Sequence, residues 1–329
     1  QRSLSPAKDK SVQLCVYVGE ERVVDLWASS GDDKFSADSL VNVFSSGKSI
    51  ESILLAALVD QGLLDFTQPV STYWPEFTGG GKDALTVADV MRHEAGLAQL
   101  DTSLLATQLE TPALKQNSVG SILERHPLGF PEGSSPREYH AVTRGWIVNE
   151  IFRRIEPGRR TMGEYLREHI SEPLGIDVYF DINANEARRL SRVQPRRLMS
   201  QLLDSFSPGS QARRIGLTPG ELFKRGRRVL AAVSGSRRPA LALPIKGLKT
   251  EGCGAFDSPA YWQAQIPSAG AKCSARGLAK LAAAMANGGQ IQGHRVLGQT
   301  ALDALHADPV ERTMTIMKNR FTQGGLAHF

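Results

Sequence analysis

A serine and a lysine three positions apart share one face of a helix, and Ser45-Ser46-Gly47-Lys48 has that spacing. A serine hydroxyl is a poor nucleophile at neutral pH. An amine held partly out of water has a lowered pKa and can take the hydroxyl proton, which makes the pair a unit for acyl transfer. The start of a helix adds backbone N–H groups where an oxyanion would form. The spacing alone fits equally a polar helix start, with Ser45, Ser46 or Ser49 as a cap and Lys48 solvated. What lies on either side therefore decides between the two readings.

Before Ser45, Val12, Leu14, Val16 and Val18 alternate with smaller or polar neighbours. Gly19-Glu20-Glu21 interrupts and Val23 to Trp27 resumes, the pattern of a β-hairpin. After Ser45, Ile50, Ile53, Leu54, Ala57 and Leu58 recur at helical spacing up to a stop at Gly62. Leu63 to Phe77, with Pro69 and Pro75, reads as an extended connection. Thr86 with Asp89 and Thr161 with Glu164 have capping-box spacing, and a helix is expected from about Thr143 to Pro157-Gly158. Ser274 should open a helix closed by Asn287-Gly288-Gly289, and Phe321 to Phe329 reads as the start of a strand.

The chain has 329 residues, 41% hydrophobic, 22% charged and 7% aromatic, which is enough for a substantial core and ordinary for a globular protein. The longest apolar run, Ile53 to Val59, is far short of the roughly 20 residues that span a bilayer. The three cysteines, Cys15, Cys253 and Cys273, form neither a disulfide framework nor a zinc-ligand spacing, and this pattern leans to an intracellular reducing compartment. The net charge of +5 is concentrated between Arg188 and Arg238, where thirteen Lys or Arg face only Asp204 and Glu221. Lacking interleaved aromatics or a reading module, that stretch is expected to be a mobile, solvated insertion over about residues 183–243 with a helix at Pro219 to Val233. It is not expected to bind nucleic acid. No metal or cofactor site is expected.

The segment Val43-Phe44-Ser45-Ser46-Gly47-Lys48-Ser49 resembles the nucleophile segment of the β-lactamase-related serine hydrolases, the class C β-lactamase and penicillin-binding-protein type. Asp60-Gln61-Gly62-Leu63-Leu64-Asp65 with Pro69-Val70 is similar to that family's helix exit. Leu85 to Leu97 resembles a block ending in His-x-(Ser/Ala)-Gly-Leu, and Met162-Gly163-Glu164 with Pro173-Leu174-Gly175 matches a later one. The likeness runs from Val12 to about Leu302, the basic stretch excepted. It makes Tyr139, in Tyr139-His140-Ala141, the third catalytic group beside Ser45 and Lys48. His140, as the neighbour of Tyr139, is the candidate substrate-binding residue lining the cleft, with an exposed loop histidine as the equal alternative. His93 has a structural role in this reading.

The resemblance implies an α+β fold of the β-lactamase/transpeptidase type, an antiparallel sheet flanked by helices with an inserted, mostly helical lobe. Residues 1–66 and 270–329 would form the α/β lobe and residues 67–269 the helical one. It also implies an acyl-enzyme on Ser45 and a small-molecule ester or amide substrate. Ala141 stands where the β-lactamase form of the motif has Asn, which favours carboxylesterase or peptidase-like chemistry over β-lactam hydrolysis. The third motif, Lys-Thr-Gly or His-x-Gly, is expected beyond Phe329, so the chain reads as a C-terminally shortened piece with an open sheet edge and a bare apolar face. The alternative is a catalytically idle relative that serves as a scaffold or assembly protein. The oligomeric state is left open.

Overall fold

The alternating apolar residues near the N-terminus do form a hairpin in the computed structural model, which describes residues 11–29, 34–130, 136–193, 252–314, 317–327 and a few positions between 206 and 245. Strand β1 (Ser11–Val18) pairs antiparallel with β2 (Glu21–Ser29), Leu14 opposite Leu26 and Val16 opposite Val24. Side chains two apart share a face of a strand, so Leu14, Val16 and Leu26 point the same way. All three are exposed, and no third strand pairs with the hairpin among the described residues.

The opposite face of the hairpin is tied to a helix. Gln13 Oε1 accepts from the Ala275 N–H at 3.0 Å, and Asp25 pairs with Arg276 at 2.7 Å. A second sheet is short and central. Strand β3 (Val41–Asn42) and strand β4 (Val178–Tyr179) flank β5 (Lys272–Cys273), all antiparallel, with Asn42 and Tyr179 both opposite Lys272. Two further hairpins follow, β6 (Gln290–Ile291) with β7 (His294–Arg295) and β8 (Val310–Met314) with β9 (Met317–Phe321).

Seven helices matter for the site: α1 (Gly47–Asp60), α2 (Val87–Met91), α3 (Thr143–Ile155), α4 (Met162–Leu166), α5 (Pro267–Gly270), α6 (Ala275–Ala286) and α7 (Gln299–His306). Helix α1 is buried on every side from Ile50 to Leu58, which makes it the central helix of the core. It ends in a Schellman motif at Gly62 (φ 69°). The Gly62 N–H donates to the Val59 carbonyl and the Leu63 N–H to the Leu58 carbonyl, both at 2.9 Å. Capping boxes open α2 and α4 at Thr86/Asp89 and Thr161/Glu164, as their spacing predicts. Ser274 caps α6 by accepting from the Gly277 N–H.

One contiguous set of buried apolar side chains runs from Ile50 to Leu305 and draws on both of the expected lobes. Three local expectations are corrected. The connection 63–77 contains a helical turn, Val70–Tyr73, because Pro69 supplies an extended lead-in and Val70 anchors its N–H on the Leu85 carbonyl. Residues 183–190 are built into the fold. Asn183 caps Ala184–Ala187, Arg189 makes a two-pronged pair with Asp177, and Leu190 bridges to Leu40. The rest of the basic stretch, with the helix expected at Pro219 to Val233, lies largely outside the described residues. Finally, β9 ends at Phe321, and Thr322 to Leu326 form a turn closed by the Thr322 N–H on the Leu326 carbonyl.

Candidate active site

Strand β3 delivers the chain to Ser45. The Val43 N–H donates to the Ala271 carbonyl at 2.9 Å, so the segment before the serine is fastened to the end of β5. Phe44 then adopts φ 47°, a left-handed conformation rare for a bulky residue, and starts a single 3₁₀ turn over Phe44–Ser46 that runs directly into α1. The Phe44 ring is held edge-on against Phe256, with centroids 5.9 Å apart. This turn leaves Ser45 exposed at the head of a buried helix.

Lys48, one turn further, is only 8% exposed. Its Nζ donates to the Ala141 carbonyl at 2.8 Å and to the Ser268 carbonyl at 2.9 Å. Burial pushes its pKa down to about 7, with Glu51 opposing that shift and Arg144 adding to it. An amine with that pKa is neutral in about half of the molecules at neutral pH. Both N–H bonds of the neutral amine can then go to the carbonyls, leaving its lone pair free. Gly47 is what permits α1 to begin here, since a Cβ at that position would stand 2.2 Å from the Pro267 carbonyl oxygen.

Tyr139 reaches the serine from the other side. Its Oη donates to Ser45 Oγ at 2.6 Å, and its ring lies under Lys48 Nζ, 4.8 Å from the centroid. Ser45 and Tyr139, 94 residues apart in the chain, are therefore in direct contact, with the Lys48 amine against the tyrosine ring. The tyrosine is positioned by the block that follows α2. His93, at φ 66°, packs its ring against that of Tyr139, tilted by 44° with centroids 4.9 Å apart, and its Nδ1 accepts from the His140 N–H. The His93 carbonyl accepts from the Glu138 N–H, and Glu94 pairs with the buried Arg137 at 2.6 Å. Arg137 in turn donates to the Asn319 and Val310 carbonyls, linking this loop to the β8–β9 hairpin.

His140 lies in the interior and is fully buried. Its Nε2 accepts from the Leu97 N–H at 3.1 Å and its Nδ1 meets the Glu138 carbonyl at 2.6 Å, a neutral tautomer with Nδ1 protonated. Burial holds its pKa down at about 4, and burial likewise holds that of His93 well below the ordinary value. Both imidazoles stay neutral at pH 7. They shape the tyrosine loop and present no ring nitrogen to an open surface.

Residue-type reasoning passed over four contributors: Ala141 and Ser268, which act through backbone carbonyls, and Glu51 and Arg144. The last two had a readable signal. An acidic residue between Ile50 and the apolar run Ile53 to Val59, on one helix, needs a buried partner. Arg144 supplies it at 2.9 Å, with neither side chain more than 1% exposed. Among the described residues no cluster of three His, Cys, Asp or Glu side chains forms a metal site, and no helix is long and apolar enough to cross a membrane.

The Beta-lactamase family model matches residues 4–316. The chain is 31% identical over 300 residues to the protein named Esterase/beta-lactamase LipL of Mycobacterium tuberculosis, an alignment covering 89% of this chain and 62% of LipL. It thus spans less than two thirds of that relative's length. Among solved structures, a penicillin-binding-protein homologue from Caulobacter crescentus superposes with a TM-score of 0.71 at 28% identity, over 96% of this chain and 76% of that one. EstA from Arthrobacter nitroguajacolicus does so with a TM-score of 0.72 at 22% identity, over 98% and 77%, a likeness of fold. The fold is the α+β β-lactamase/transpeptidase type, and the chain belongs to the beta-lactamase family.

Proposed function

We propose that the protein is a serine hydrolase that cleaves a small-molecule ester or amide through an acyl-enzyme on Ser45. The observation that carries this reading is the 2.6 Å hydrogen bond between Tyr139 Oη and Ser45 Oγ beside a buried, partly neutral Lys48. Ser45 Oγ attacks the substrate carbonyl carbon while the Tyr139–Lys48 pair accepts the serine proton. The same pair returns that proton to the departing alkoxide or amine as the carbonyl re-forms. Water then attacks the acyl carbon, again giving up a proton to the pair, and Ser45 leaves with it. The Ser45 N–H, in the first turn, serves as an oxyanion donor in this reading.

Esters are the preferred substrate class. Ala141 lacks a side-chain amide, and the carbonyl of this residue is already committed to Lys48. The relatives named an esterase/beta-lactamase and a family VIII carboxylesterase support the same preference. His140 serves as a spacer beneath Tyr139, with no direct contact to substrate.

The test uses a fluorophosphonate probe and a short-chain nitrophenyl ester on the wild type and on Ser45→Ala. Labelling that maps to Ser45, with turnover lost in the variant, is the expected result. Equal turnover by the two proteins, or labelling that survives the substitution, overturns Ser45 as the nucleophile, and a wild type that neither labels nor turns over the ester overturns the proposal in favour of an idle scaffold.

A further inference from the structure

The two ends of Lys48 are held by one closed ring of buried groups. Its main-chain carbonyl accepts from Arg144 Nη2 at 2.9 Å. Arg144 Nε donates to Glu51 Oε2 at 2.9 Å, and Glu51 Oε1 accepts from Ser268 Oγ at 2.5 Å. The Ser268 carbonyl then accepts from Lys48 Nζ at 2.9 Å, which returns the path to its start. Two anchors fix the ring to the surrounding helices: Arg144 Nη1 donates to the Met91 carbonyl, and the Gly145 N–H donates to Ser268 Oγ. Room for it depends on Gly145. A Cβ there would come within 2.6 Å of Glu51 Oε1 and 2.8 Å of the Ser268 nitrogen.

A buried ion pair of this kind gains little stability over well-packed apolar side chains, so its place against the lysine asks for another explanation. We infer that Glu51 and Arg144, with Ser268, form a charge-balanced clamp whose role is to position Lys48 at Ser45 and to set the pH at which its amine titrates. The inference rests on the reading of Lys48 as a proton acceptor given above. Within the ring the two charges act on the amine in opposite senses: the Glu51 carboxylate favours the ammonium and the Arg144 guanidinium disfavours it. The other groups facing the amine are the buried, neutral His93 and His140, the Tyr139 ring, and the Ala141 and Ser268 carbonyls. Glu51 and Arg144 are positioning residues, since neither touches the reacting atoms.

Removing either charge alone should move the Lys48 titration, and in opposite directions. Glu51→Gln leaves the guanidinium uncompensated, so the amine titrates about one pH unit lower. Arg144→Gln leaves the carboxylate uncompensated, and it titrates about one unit higher. The double variant Glu51→Gln with Arg144→Gln removes both charges together and should titrate closer to the wild type than either single variant, while kcat for ester hydrolysis falls and KM holds.

The measurement is the carbon-13 shift of the lysine Cε signals against pH in labelled full-length protein, with Lys48 assigned through Lys48→Arg. Opposed displacements, with the double variant between them, support the clamp. Displacements in the same direction, or none, in variants whose circular dichroism is native overturn it. If either single variant fails to fold, the remaining one decides by the direction of its displacement, none or the wrong direction overturning the clamp, and a double variant displaced by more than about one unit refutes charge balance. Because this readout needs no turnover, an inactive wild type would refute the proposed hydrolase while leaving the clamp to be judged on the titration.

Discussion

Replacing Lys48 by Met separates the cost of burying the amine from everything else the lysine does. In the folded protein the amine titrates at about 7, against 10.5 ordinarily, and that displacement is worth about 5 kcal/mol. Below about pH 7 the amine is protonated in both the folded and the unfolded chain, and the penalty is fully present. Between about 7 and 10.5 the unfolded chain still binds the proton that the folded protein has released, so wild-type stability rises with pH by about 1.4 kcal/mol per unit. Lys48→Met lacks this gain. It also leaves the Ala141 and Ser268 carbonyls without their donor, an offset of about 1–3 kcal/mol each that does not change with pH. Urea unfolding of both proteins between about pH 6 and about pH 10 therefore gives two curves that diverge upward from neutrality in favour of the wild type. Lys272, fully buried and titrating at about 8, is present in both and cancels. Parallel curves across this range would show that Lys48 is an ordinary solvated ammonium, and the argument for its role as a base would fail with them.

Tyr139→Phe removes the hydroxyl on Ser45 while keeping the ring against His93, so ester turnover should fall about 10²- to 10⁴-fold with an unchanged circular dichroism spectrum. Gly47→Ala forces a methyl to within 2.2 Å of the Pro267 carbonyl oxygen and should cost about 3 kcal/mol in denaturant unfolding; a neutral result would mean that α5 does not seat on α1 as described. Thr161→Ala removes the capping box on α4 and one partner of Gln265, and should lower stability by about 1 kcal/mol with catalysis retained.

The legible parts of the sequence are those in which a local rule and the tertiary environment ask for the same residue. Thr86 with Asp89 and Thr161 with Glu164 cap helices because the side chains satisfy orphan N–H groups within four residues. The strand from Val12 to Val18 was legible from its period of two alone, since its apolar face, with Leu14 and Val16, is exposed and the face of Gln13 is the one tied to α6. Ser45 and Lys48 could be read as a pair for the same reason, being one helical turn apart. Tyr139 could not, since nothing near it in the chain marks it; only likeness to a family did. The carbonyls of Ala141 and Ser268 carry no residue-type signal, because any residue at those positions offers the same oxygen. His140 looked like a cleft residue because histidines beside catalytic groups often are. Its burial follows from the Leu97 N–H, which needs an acceptor and finds it in Nε2. The turn after Phe321 carried its own signal in Gly324-Gly325, where Gly325 takes φ 78°, a pair that argues against a continuing strand.

The carbonyls that hold the Lys48 amine lie 93 and 220 residues further along the chain. Neither contact can form until loops of that length have closed, which places the pocket among the slow, nonlocal events of folding. A partly folded chain with α1 already helical would carry Lys48 as an ordinary charged surface lysine. The reactive amine is therefore itself a reporter of completed tertiary structure. In a refolding experiment its low-pH reactivity should appear with the last phase, after helix content has recovered.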